Sequence, residues 1–130
     1  MKMSGEMLNV QSSLTAPESI EIPADRHLME QVFINLFSNA VDAMSGRGLL
    51  EIIMEPVNSS LQIKISDTGK GIMPEDMSRI FDPFFTTKEK GTGLGLAITY
   101  NIIKKHNGKI DVFSEPEKKT TFTLILPGRK

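Results

Sequence analysis

The sequence predicts an α+β fold, a two-layer sandwich with helices packed on one face of a mixed β-sheet. Two observations predict it. Strand-like runs come in adjacent pairs: Leu49 to Glu55 with Leu61 to Ser66, and Lys109 to Ser114 with Thr120 to Leu126. One long helical periodicity precedes each pair, so strands and helices do not alternate strictly as a doubly wound parallel sheet requires.

The elements follow in chain order. Leu8 to Leu14 has weak strand character and leads into a polar, proline-bearing stretch that ends at Pro23. Asp25 is a suitable N-cap for a helix in which Leu28, Val32, Phe33, Leu36, Ala40, Val41 and Met44 recur at helical spacing, with Gly46 as its stop. "LLEIIME" is β-rich, "LQIKIS" alternates cleanly, and "VNSS" between them predicts a hairpin. Asp67 to Gly93 reads as loop, with a short helix expected at Met77 to Phe81. Loops of that length in a small domain are usually functional, and glycines at both ends favour a hinged lid. A second long helix runs from about Gly93 to His106, closed by Asn107 and Gly108, before the last two strands.

Composition narrows the function classes. A chain of 130 residues suffices for one domain with a real core, and 39% hydrophobic with 24% charged residues is ordinary for a globular protein. A net charge of −1 makes no electrostatic case for nucleic acid or an anionic membrane surface. With 0 cysteines there is no disulfide, thiol nucleophile or cysteine-ligated zinc. No stretch has the apolar length of a membrane-spanning helix, and the opening "MKMSGEML" has no signal-peptide pattern.

Three polar signals stand out. "GTGLGLA" places glycines before a helix, but its spacing is G-x-G-x-G and a polar loop precedes it, so it is no Rossmann loop. Neither a Walker A sequence nor the protein-kinase motif set is present. Such a helix start suits phosphate, and equally suits a merely flexible loop. In "SDTGKGI", Asp67 ends a strand and Gly69 and Gly71 follow. The carboxylate could take an amino group while the glycines admit a flat ring; an Asp-capped turn is the plainer reading. In "NLFSNAVDA", Asn35, Asn39 and Asp42 lie at i, i+4 and i+7 on an otherwise apolar helix, and asparagine oxygen suits magnesium.

Together and in this order the motifs resemble the ATP-binding catalytic domain of bacterial sensor histidine kinases, in the superfamily shared with gyrase B, MutL-type and heat-shock chaperone ATPases. "HLMEQVFINLFSNAVDAM" resembles the N box, "DTGKGI" the first glycine box, "IFDPFFTTK" the F box and "GTGLGLAI" the second glycine box. The likeness runs from about Asp25 to Pro127, and "NAVDAM" with "FFTTK" is most similar to the nitrogen-regulation type.

The resemblance implies a Bergerat-type ATP-binding fold with an ATP lid, and ATP and Mg2+ as cofactors. Asn39 would coordinate magnesium with help from Asn35. Asp67 would take the adenine amino group, with Gly69, Gly71 and Ile72 shaping the base pocket. Gly91, Gly93 and Gly95, with the amides around Leu94 and Leu96, would cradle phosphates, joined by Lys88 and Thr92; a solvated lid charge is the other reading of Lys88. Asp42 and Phe81 would border the nucleotide, while Phe81, Phe84 and Phe85 anchor the lid by packing.

Hydrolytic relatives carry glutamate where Asn35 stands, and an amide is no general base near neutral pH. The resemblance therefore implies a domain that holds ATP while an imidazole on a separate dimerisation and phosphoacceptor domain attacks the γ-phosphate. A response regulator lies downstream. His27 and His106 lack the context of a phosphoacceptor and serve packing or helix-end roles. On this reading residues 1–130 form one cytoplasmic catalytic domain, monomeric by itself, with its N-terminal boundary within 1–19 and with dimerisation and sensor domains outside it. The rivals are an ATPase or ATP-gated clamp, a serine kinase of the anti-sigma type, and an adaptor that has lost catalysis. The chain departs from the family pattern in "EPEKKTTF" and at Asn107, where glycine is usual. Asparagine tolerates the left-handed conformation such a position takes.

Overall fold

The computed structural model describes residues 9–15, 23–45, 47–85 and 94–128. Among them, β1 (Asn9–Thr15), α1 (Arg26–Ala43), β2 (Arg47–Val57), β3 (Ser60–Asp67), α2 (Gly95–Lys105), β4 (Lys109–Glu115) and β5 (Lys119–Pro127) follow the predicted order. The five strands form one sheet in the order β1-β2-β3-β5-β4. β1 pairs with β2 in parallel, with Leu14 opposite Ile52, and α1 supplies the crossover that parallel neighbours need. The other pairings are antiparallel, with Ile52 opposite Ile65, Ile63 opposite Leu124 and Ile110 opposite Leu124.

Alternation decides which face is buried. Leu61, Ile63 and Ile65 of β3 and Phe122, Leu124 and Leu126 of β5 turn inward, while Gln62, Lys64, Thr121 and Thr123 turn to the other face. Met29, Val32, Leu36 and Ala40 of α1, with Ile102 and Ile103 of α2, cover the inner face. Burying one such aliphatic side chain contributes about 1.5–3 kcal/mol, so the shared seam holds both helices to one side of the sheet.

Local chemistry ends each helix. Asp25 caps α1 by accepting from the Leu28 N–H at 2.9 Å. α1 stops sooner than Gly46: Ser45 already takes φ 53, and Gly46 lies outside the described residues. α2 closes on Asn107 at φ 60, with Asn107 N–H donating to the Lys104 carbonyl and Gly108 N–H to that of Ile103. That pair of bonds is a Schellman motif, with asparagine in the left-handed position glycine usually fills.

The stretch after β3 differs from expectation in two ways. The helix expected at Met77 to Phe81 is instead a 3-10 turn at Pro74–Asp76 followed by i, i+3 turns, with Arg79 N–H on Asp76 and Asp82 N–H on Arg79. Pro74 presets the first turn, and Pro83 leaves too few residues to repay helix nucleation. Nor is residues 68–85 a loose lid. Lys70 N–H donates to the Ala43 carbonyl, Ile72 N–H to Ser114 Oγ at 2.6 Å, and Ile80 is buried in the core. Residues 86–93 of the expected lid lie outside the described residues.

Candidate functional site

α1 joins the two ends of the candidate site. Near its middle, Asn35 Nδ2 donates to the Gly95 carbonyl at 3.2 Å and to Thr99 Oγ1 at 3.4 Å, so the predicted amide stripe meets the predicted glycine helix start. Eight residues on, about 12 Å along the axis, the last turn meets the loop after β3. A Cβ on Gly69 would stand 2.6 Å from the Ala43 carbonyl. Asn39 lies half-buried between the two contacts, and Asp42 is exposed beside the second.

At the β3 end, Asp67 is only 5% exposed. Its Oδ1 accepts from the Gly69 N–H at 2.9 Å. Burial pushes its carboxyl up to about 6, partly offset by that hydrogen bond. A carboxylate that loses hydration and gains one backbone donor is costly to the fold, and groups perturbed in this way cluster at functional sites. Gly69 and Gly71 have structural duties the sequence reading did not foresee. Gly71 takes φ 74, and a Cβ there would stand 2.6 Å from the Glu115 carbonyl. These glycines thread the loop between the end of α1 and the β4–β5 turn, where Glu117 N–H donates to the Lys70 carbonyl at 2.6 Å.

At the α2 end, Leu94 occupies the N-cap and brings no side-chain oxygen to the first-turn amides, where serine, threonine or aspartate commonly sits. Gly95 is roomier than Gly69: a Cβ would lie 3.6 Å from the nearest atom, Asn35 Cγ. Leu94 and Leu96 are half-buried beside it. Lys88, Gly91, Thr92 and Gly93 lie outside the described residues.

The phenylalanines divide. Phe81 packs on Tyr100 with ring centroids 5.3 Å apart, and Phe85 lies under the Arg79 guanidinium at 4.5 Å. Phe84, expected to pack, is 73% exposed. Asp82 carbonyl accepts from Phe85 N–H at 3.2 Å, with Pro83 at the second position and φ 69 at Phe84. That is type II turn geometry, and it turns the third side chain outward.

Sequence reasoning missed two buried hydroxyls. Thr120 is the register partner of Asp67 across β3 and β5, and its Oγ1 lies 3.2 Å from Ser114 Oγ, the acceptor for Ile72 N–H. Aligning "TTFTLIL" against "LQIKISD" would have found it. Thr99, one helical turn after Gly95, is wholly buried.

The profile of the histidine kinase-, DNA gyrase B- and HSP90-like ATPases matches residues 24–130. The chain belongs to that family. Sporulation kinase A of Bacillus subtilis (strain 168) is 47% identical over 110 residues, which cover 85% of this chain and 18% of the relative. The sensor histidine kinase ZraS of Escherichia coli (strain K12) is 41% identical over 119 residues, 91% of this chain and 26% of that protein. The chain thus spans about a fifth to a quarter of the curated relatives it matches. The solved catalytic domain of the histidine kinase ThkA superposes with a TM-score of 0.83 at 35% identity, covering 92% of this chain and 79% of that one. The expected α+β fold and the histidine kinase resemblance, its nitrogen-regulation branch included, are both borne out. No described helix is long and apolar enough to cross a membrane.

The donor set also fits magnesium. Among the described residues no three His, Cys, Asp or Glu side chains converge as a metal cage. Amide oxygens on α1 offer the sparse, hard ligation of an ion that keeps waters and shares substrate phosphates.

Proposed function

We propose that this domain binds Mg-ATP and presents its γ-phosphoryl group to a histidine on a separate dimerisation and phosphoacceptor domain, with a response regulator downstream. The observation that carries the reading is the pairing of a buried Asp67 at one end of α1 with the Asn35–Gly95 contact at the other. Asp67 takes the adenine amino group, and Ile72 and Phe81 flank the base. Asn39, with Asn35, holds the metal through amide oxygen. Gly95 and the amides at Leu94 and Leu96 hold phosphate, assisted by Lys88, Gly91, Thr92 and Gly93. Bound magnesium supplies charge neutralisation across the phosphates.

Asn35 separates this reading from an ATPase. Its NH2 is committed to α2, and an amide takes no proton from water at neutral pH. The domain's share is therefore positioning, and the attacking group comes from elsewhere.

The test is transfer of labelled γ-phosphate from ATP to an added phosphoacceptor domain. Transfer by the wild type and its loss in Asn39→Ala support the proposal. Transfer that survives Asn39→Ala overturns the metal assignment, and steady hydrolysis by the domain alone favours the ATPase.

A further inference from the structure

Thr99 is 0% exposed, yet it carries a hydroxyl. Its Oγ1 donates to the Gly95 carbonyl one turn back at 2.9 Å and accepts from Asn35 Nδ2 at 3.4 Å. Asn35 Nδ2 also donates to the same carbonyl at 3.2 Å, so the three groups close a triangle between α1 and α2. Packing alone does not call for the hydroxyl, because valine has the same shape and alanine is the better helix former.

The triangle has a directional consequence. The Thr99 proton is given to Gly95, so both oxygens facing Asn35 are acceptors. Only the NH2 end of the Asn35 amide can meet them, since its carbonyl end would face two lone-pair-bearing atoms. Oδ1 is thereby turned away from those oxygens, on the side where a Cβ built on Gly95 would stand 3.7 Å from it.

We propose that Thr99 is a positioning residue for metal-bound nucleotide: by taking the Asn35 NH2, it presents Asn35 Oδ1 to the magnesium–phosphate end of the site. This rests on the Mg-ATP reading of the site. The hydroxyl acts through Asn35 and touches neither phosphate nor metal.

The test compares ATP affinity with Mg2+ and with EDTA, by calorimetry, in the wild type, Thr99→Val and Thr99→Ser. Thr99→Val is expected to weaken binding about five- to tenfold with Mg2+, the effect of one hydrogen bond. It leaves EDTA binding unchanged and lowers the melting temperature by no more than the few degrees a lost buried hydrogen bond costs, and Thr99→Ser restores both the affinity and the melting temperature. In the nucleotide-free domain the Asn35 side-chain NH2 resonances shift in Thr99→Val and return in Thr99→Ser. If Thr99→Val does not fold, Thr99→Ala removes the same hydroxyl and carries the comparison. A wild-type response to Mg2+ in the variant overturns this inference alone. A wild-type chain whose ATP binding ignores Mg2+ overturns the Mg-ATP reading and this inference with it.

Discussion

The backbone N–H of Asp25 donates to His106 Nε2 at 2.9 Å, so the residue that caps the start of α1 is tied to the end of α2. His106 Nδ1 lies 2.8 Å from the Ile102 carbonyl, which can only accept, so Nδ1 donates there while Nε2 accepts from Asp25. Nitrogen chemical shifts are expected to report the Nδ1–H tautomer. His106→Ala, losing both bonds, should cost about 1–3 kcal/mol and lower the melting temperature by several degrees. An Nε2–H tautomer would contradict the clasp.

Asp67 makes the fold's stability depend on pH in a stated direction. Its carboxyl is raised from 3.8 to about 6 in the folded chain. Between those values the folded state keeps a proton that the unfolded state has released, so stability falls as pH rises through the window and stays lower above it. Asp67→Asn keeps an acceptor for the Gly69 N–H and has no charge to desolvate. Without nucleotide it should melt higher than the wild type at mildly alkaline pH, the gap closing toward about pH 4. ATP affinity should move the other way. On the proposed reading the carboxylate form would take the adenine amino group, so wild-type binding should weaken up to tenfold per pH unit below about 6, a break the variant lacks. Equal melting curves for the two proteins at both pH extremes would refute the assignment.

The two helices and the four strands from β2 onward were legible because burial writes itself into spacing. Val32, Leu36 and Ala40 repeat with the helix, and Leu61, Ile63 and Ile65 with the pleat. The Asp25 cap and the left-handed Asn107 were legible because their chemistry is local. Asn35 and Asp67 stood out as polar groups in apolar surroundings. What stayed hidden depends on register and helix crossing: Thr120 opposite Asp67, Thr99 beneath Asn35, and His106 against Asp25, 81 positions away. Gly69 and Gly71 were legible as sites of close approach, but one partner is the Ala43 carbonyl and the other that of Glu115, both protein backbone.

The packed Phe81 and the exposed Phe84 should behave oppositely. Phe81→Ala removes the ring contact with Tyr100, an interaction of about 0.5–1.5 kcal/mol beyond its buried area. It should therefore loosen the segment between Pro74 and Phe85 and speed limited proteolysis there. Phe84→Ala takes away a solvent-facing ring and should leave melting and proteolysis unchanged. Equal protease sensitivity in the two variants would mean that Phe81 does not anchor the segment.

Gly69 is a glycine required by the fold, and Gly95 one that the proposed reading assigns to a ligand. A Cβ on Gly69 meets Ala43 backbone at 2.6 Å, and backbone cannot step aside as a side chain can. Gly69→Ala should therefore cost about 1–3 kcal/mol, the usual penalty of forcing an extra methyl into packed structure. A Cβ on Gly95 finds ordinary contact distances, the nearest 3.6 Å. In the first turn of α2, Gly95→Ala should hold or raise the melting temperature, since alanine favours a helix by up to about 1 kcal/mol. Phosphate would meet that methyl, so affinity for Mg-ATP should drop tenfold or more in the same well-folded variant. Calorimetry beside thermal melting reads both. A Gly95→Ala chain that melts normally and binds ATP like the wild type would take the start of α2 out of the phosphate site.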